Sequence, residues 1–293
     1  MSARYINPYT DFGFKKLFGE EANKDLLIDF LNQLLPEKHQ IAELEFKNVE
    51  NYPELALERK AIFDIHCVSE KGERFIVEMQ KAKVQYFKDR SLFYTTFPIK
   101  EQAERGDWDF KLEPIYFIAI LDFFYDVEKE KAKVKRDVML KDQDCEVFFE
   151  KLRFIFLQMP AFNKKEHELE THYDKWLYFL KHLQDFNDIP HILREPIFKK
   201  AFRIAEIANF NRKELAVYEQ SLLAYRDLVN VMDAKVREGV DMGIDIGIDI
   251  GLKREKINTI LHCHKNGFAL EAIATIARMS VEEVQTIIEK HTT

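Results

Sequence analysis

The stretch PIYFIAILDF, residues 114–123, is apolar at odd and even positions alike. Successive strand side chains point to opposite faces, so this run offers neither face to water. It belongs in the middle of a sheet with helices packed on both sides. The rest of the chain supplies such layers. DFGFKKLF (11–18) and ANKDLLIDFLNQLL (22–35) carry apolar residues at helical spacing, and Pro36 stops the second. IAELEFKN (41–48) reads as a short strand, and residues 57–80 read as a hairpin turning near SEKGE. Residues 84–104 read as a long helix broken at GDWD. KVKRDVML and KLRFIFLQM alternate as strands, and the chain is helical from about Thr171 onward. This order predicts an α/β fold, a central mixed sheet flanked by helices, with a helical C-terminal region.

With 293 residues, 46% of them hydrophobic, the chain can bury a sizeable core. It has 25 Phe but only 9 Gly and 8 Pro, which argues against long disordered stretches. A net charge of −7 excludes a uniformly basic surface but leaves room for a local basic patch. Cys67, Cys145 and Cys263 form no CxxC pair, which points to free thiols in a reducing compartment. MSARYINPYTDF has no apolar signal region, and no run has the length of a membrane span. The expectation is a cytoplasmic protein without a membrane partner.

The hairpin holds an anomaly. Asp64 lies in AIFDI and Glu78 in FIVEM, among residues that look buried. Carboxylates are rarely buried without a partner. Glu78 and Gln80, two apart, project from one strand face, and hairpin pairing brings Asp64 towards Glu78. Two carboxylates and an amide oxygen are hard donors that suit Mg²⁺ or Mn²⁺. The spacing by itself is common by chance, and acids on an edge strand can simply face solvent.

TDFGFKKLFG at 10–19, FDIHC at 63–67 and FIVEMQ at 75–80 together resemble the PD-(D/E)XK nuclease superfamily. Within it they are most similar to the recombination-promoting nucleases, or putative transposases, over roughly residues 1–235. The resemblance implies a Mg²⁺-dependent DNA endonuclease on a restriction-endonuclease-like core, with Mn²⁺ as an alternative ion and DNA as substrate. The family's two acidic positions fall on Asp64 and Glu78. Its lysine position falls on Gln80, as is usual in this branch. Gln can orient a water but cannot act as base or carry charge. Lys60, on the strand face of Asp64, is the candidate for the missing cation. Asp11 falls where an N-terminal helix often adds a further acid, although it also suits a helix start capped by Thr10. The catalytic set is then Asp64, Glu78, Gln80 and Lys60, and the metal ligands are Asp64, Glu78 and Asp11.

After the hairpin, Lys81, Lys83, Lys88 and Arg90 stand beside Tyr86, Phe87 and Tyr94. They suit DNA phosphates, or simply form a solvated basic helix face. The alternative to an enzyme is a catalytically silent DNA- or protein-binding module that keeps the fold. Carboxylates pointing apart, or one of them buried against an arginine, would favour that module.

The expected organisation is a nuclease-like domain over 1–235, with its core at about 1–160 and a helical part at about 171–235. A glycine tetrad segment over 236–252 and a helix-turn-helix-like tail over 253–293 follow. Gly239, Gly243, Gly247 and Gly251 recur every fourth residue. They fit a face for close helix contact and self-association, a flexible linker, or a relic of DNA repeat slippage. Ser280 and Glu283 form an S-x-x-E capping box for the last helix. The tail carries six Lys or Arg and five Glu, a balance of +1 that is weak for a DNA reader.

Overall fold

The computed structural model describes residues 3–47, 64–82, 85–103, 109–125 and 131–292. Its sheet has six strands: β1 (Leu44–Phe46), β2 (Ile65–Ser69), β3 (Arg74–Gln80), β4 (Ile115–Leu121), β5 (Lys135–Lys141) and β6 (Val147–Gln158). Their order is β1-β2-β3-β4-β6-β5. The pairs β1/β2, β2/β3 and β5/β6 are antiparallel, while β3/β4 and β4/β6 are parallel. The sheet is therefore mixed, as the sequence predicts.

All seven residues of β4 are buried. Its even side chains, Tyr116, Ile118 and Ile120, join Phe75, Val77 and Met79 of β3 in one apolar core. Helices α1 (Asp11–Phe18), α2 (Lys24–Asn32), α4 (His172–His182) and α5 (Pro196–Ala205) close that core through residues such as Phe14, Phe30, Trp176 and Phe198. The odd side chains Phe117, Ala119 and Leu121 face a second core with Ile76 and with Phe87 and Tyr94 of α3 (Phe87–Glu101). Cover on both sides is what the unbroken apolar run demanded.

Two glycines are fixed by geometry. Gly72, at φ +83°, turns β2 into β3 in the left-handed region. Gly13 sits in the first turn of α1, where a Cβ would lie 2.2 Å from the backbone oxygen of Asn7. Thr10 caps this helix by accepting from the Gly13 N–H.

Some boundaries move. The helix expected over 22–35 ends at Asn32, and β1 covers only part of 41–48. Asp64 is not within a strand: it occupies a bend just ahead of β2. The earlier part of the expected first hairpin strand lies outside the described residues.

Chain contacts divide the molecule into two compact units, Met1–Val229 and Asn230–Thr293. Helix α6 (Arg212–Lys265) runs unbroken through all four tetrad glycines, so that segment is helical rather than a loose linker. Helices α7 (Leu270–Ala277) and α8 (Val281–Thr292) follow. Ile260, Ile273, Ala277, Val284 and Ile288 form a small core of the second unit. The capping box is present, with Ser280 N donating to Glu283 Oε2 and Glu283 N to Ser280 Oγ.

Candidate active site

Register places the two acids together. Ile65 pairs with Val77 and His66 with Ile76, so Asp64 reaches the position opposite Glu78. Glu78 and Gln80 share the face of Ile76, the face that α3 covers. The Asp64 backbone N–H donates to Glu78 Oε1 at 3.3 Å. Asp64 Oδ2 in turn accepts from the Met79 N–H at 2.7 Å. Each acid thus binds the backbone beside the other, which fixes the hairpin end and both carboxylates at once.

Glu78 is 2% exposed. Its Oε2 accepts from Gln80 Nε2 at 2.6 Å. Arg90 Nη2 donates to Gln80 Oε1 at 3.2 Å and lies 3.6 Å from Glu78 Oε2. Burial, reinforced by the charge of Asp64, pushes the Glu78 carboxyl up to about 8 against the opposing pull of Arg90. The Asp64 carboxyl is also raised, by burial first, against the Met79 N–H; Asp11 raises it further, while Lys15 and Lys81 lower it.

The other expected site residues divide. Lys81 is half-buried, and burial lowers its pKa against the opposing charges of Asp11 and Asp64. Asp11 forms an ion pair with Lys15 at 2.9 Å, and its charge is felt at Asp64. Among the described residues no three His, Cys, Asp or Glu side chains converge as a metal cluster. Lys88 lies over the Tyr125 ring, 5.0 Å from its centroid. Arg90 faces Glu78 and Gln80. Lys60 and Lys83 lie outside the described residues.

Sequence reasoning overlooked Lys15 and Lys16. Together with Lys47, Phe12, Asp64 and His66 they line a cavity of about 240 Å³. The signal was present in DFGFKKLF, where Lys15 falls one helical turn after Asp11.

The donor chemistry suits a hard cation. Two adjacent carboxylates, one raised by burial and by the charge of the other, offer hard oxygen donors that a divalent cation would hold in the charged form. The amide oxygen expected to join them is turned to Arg90 instead. The donors on offer are therefore the carboxylates of Asp64 and Glu78.

Comparison with curated proteins and with solved structures gives no match. No helix among the described residues is long and apolar enough to cross a membrane. The family model of the PD-(D/E)XK nuclease family transposases matches residues 8–235. Spanning the whole sheet and both acids, that match means that the chain belongs to the PD-(D/E)XK nuclease family transposases.

Proposed function

We propose that the chain is a metal-dependent DNA endonuclease that hydrolyses phosphodiester bonds in recombination, DNA mobility or defence. The observation that carries this reading is the Asp64–Glu78 pair at the shared end of β2 and β3, with Glu78 buried and Asp64 partly so. Asp64 and Glu78 are the residues that would hold Mg²⁺, or Mn²⁺ in its place; Asp11, the further acid that the sequence offers, is ion-paired with Lys15 and contributes its charge. When bound there, the ion neutralises the acids, polarises a phosphate oxygen and lowers the pKa of a water.

The protein's own contribution is positional. The Met79 N–H holds Asp64, and the Asp64 N–H together with Gln80 Nε2 holds Glu78. Oxygens fixed in this way need no reorganisation when charge develops nearby. Lys60 is the candidate for an added cation. Lys81, Lys83 and Lys88 are candidates for contacts to DNA phosphates, in the cytoplasm where such DNA is met, whereas Arg90, read from the sequence with them, is turned to Gln80 and Glu78.

One observation favours the silent binding module. Glu78 is buried beside an arginine, and a charge neutralised by the protein itself does not require a metal. Purified full chain incubated with supercoiled plasmid separates the readings, using Mg²⁺, Mn²⁺, Ca²⁺ or EDTA. The nuclease nicks in Mg²⁺ or Mn²⁺ and not in EDTA, and Asp64→Ala and Glu78→Ala abolish nicking while the fold persists. Nicking that survives either substitution refutes the site, and none by the wild type in any ion favours the module.

A further inference from the structure

Arg90 lies in the first turns of α3, one turn after Phe87 and one turn before Tyr94. Positions three and four apart on a helix share a face. Phe87 and Tyr94 are buried against the sheet, so the same face carries Arg90 inward. Its guanidinium lies 5.2 Å from the centroid of the Tyr94 ring, a cation–π contact that restrains it.

The hydrogen bonds that follow have a direction. A guanidinium has only donors, so the Gln80 amide turns its oxygen to Arg90. The amide nitrogen is then left for the nearest acceptor, Glu78 Oε2. A lysine at position 80 would bring positive charge to Glu78 on the strand itself. Here a neutral side chain occupies that position, and the charge arrives from the helix above it.

We propose that Arg90 is a positioning residue of this site, supplying from α3 the positive charge that β3 lacks at Gln80. It orients the amide so that Nε2 faces Glu78, and Glu78 is thereby kept in one rotamer. This inference rests on the nuclease reading of Asp64 and Glu78. It differs from a role for Arg90 as an outward contact to DNA phosphate.

The test compares full-length wild type with Arg90→Gln, Arg90→Lys and the double variant Gln80→Lys/Arg90→Gln. In plasmid nicking, Arg90→Gln is expected to lower the rate about tenfold or more, as for a lost charge-assisted hydrogen bond. Arg90→Lys should retain part of the rate. Lysine at position 80 should bring the double variant back to within about threefold of wild type, because the charge is again next to Glu78. A second readout needs neither metal nor DNA. The side-chain amide ¹H–¹⁵N signals of Gln80 should shift in Arg90→Gln, with faster hydrogen exchange. Unchanged Gln80 signals overturn the proposal and leave the nuclease reading intact. Lost nicking that Gln80→Lys does not restore, together with weaker DNA binding in Ca²⁺, overturns it in favour of direct phosphate contact. A wild type that nicks in no ion refutes the nuclease reading instead.

Discussion

Gln80 Nε2 donates to Glu78 Oε2 at 2.6 Å, so two side chains of one strand face hold each other over the end of the sheet. The bond partly offsets the burial of Glu78 but leaves its carboxyl raised to about 8. A group in this position makes the fold sensitive to pH and to cations.

Glu78 has a folded pKa above its ordinary value of 4.5. Below about pH 4.5 the acid is protonated whether the chain is folded or unfolded, and its stabilisation is fully present. As pH rises towards about 8, the unfolded chain releases the proton first and the metal-free fold loses stability, on the order of a few kcal/mol. Asp64 acts in the same direction. Glu78→Gln should flatten this decline in melting temperature. Mn²⁺ at pH 8 should raise the melting temperature of the wild type and not of the variant. Parallel pH curves for the two proteins would contradict the burial of a strained acid.

Gln80→Leu should lower metal-dependent nicking, by about tenfold if the amide holds Glu78 as a charged acceptor. It removes the donor to Glu78 and the acceptor for Arg90 together. Gln80→Lys should retain or raise activity, because an ammonium can donate to Glu78 and adds charge near the scissile phosphate. Equal rates for wild type and the Leu variant would show that Gln80 plays no part.

Much of this was legible in the sequence because the relevant signals are periodic. The unbroken apolarity of 115–121 required a doubly covered strand, and the parity of Glu78 and Gln80 required a shared face. The inward turn of Arg90 was less legible. Lys81, Lys88 and Arg90 read as one basic face, yet Lys88 and Arg90 are two residues apart on a helix and point in different directions. The bond from the Asp64 carboxylate to the Met79 N–H was also hidden. It depends on a bend ahead of β2, and no spacing rule reports a bend. Glycine spacing could not separate linker from helix, because glycine weakens a helix without forbidding it.

Gly13→Ala should destabilise the fold by about 1–3 kcal/mol, as overpacking does. The added methyl would lie 2.2 Å from Asn7 O and 2.7 Å from Thr10 Oγ1. The first contact is backbone and cannot swing aside, and the second is the cap of α1. Part of TDFGFKKLFG therefore serves the fold rather than the chemistry. Denaturant titration measures the loss, and an unchanged midpoint would show that the α1 entry can relax.

The C-terminal unit should self-associate through α6. A four-residue step turns a helix by about 40° beyond a full turn, so each position of the tetrad makes a slowly winding row. Gly243, Gly247 and Gly251 make one row, with Ile244, Ile248 and Leu252 beside it and Met242, Ile246 and Ile250 on its other side. The six apolar side chains of those rows are exposed. Asp241, Asp245 and Asp249 fall on the opposite side of the helix, so the apolar face meets a second copy without like charges in the way. A Cβ built at any of these glycines meets nothing within 4 Å, which leaves space for close approach. Gly243→Leu/Gly247→Leu tests this with two opposed effects. Leucine favours the isolated helix by about 1 kcal/mol per site, so helix content should hold or rise. The same side chains keep a second helix at a distance, so association should weaken. Sedimentation of the full chain should shift to a smaller species while metal-dependent nicking persists. An unchanged species, with DNA affinity lost when the chain is ended near Arg237, would instead assign the tail to DNA binding.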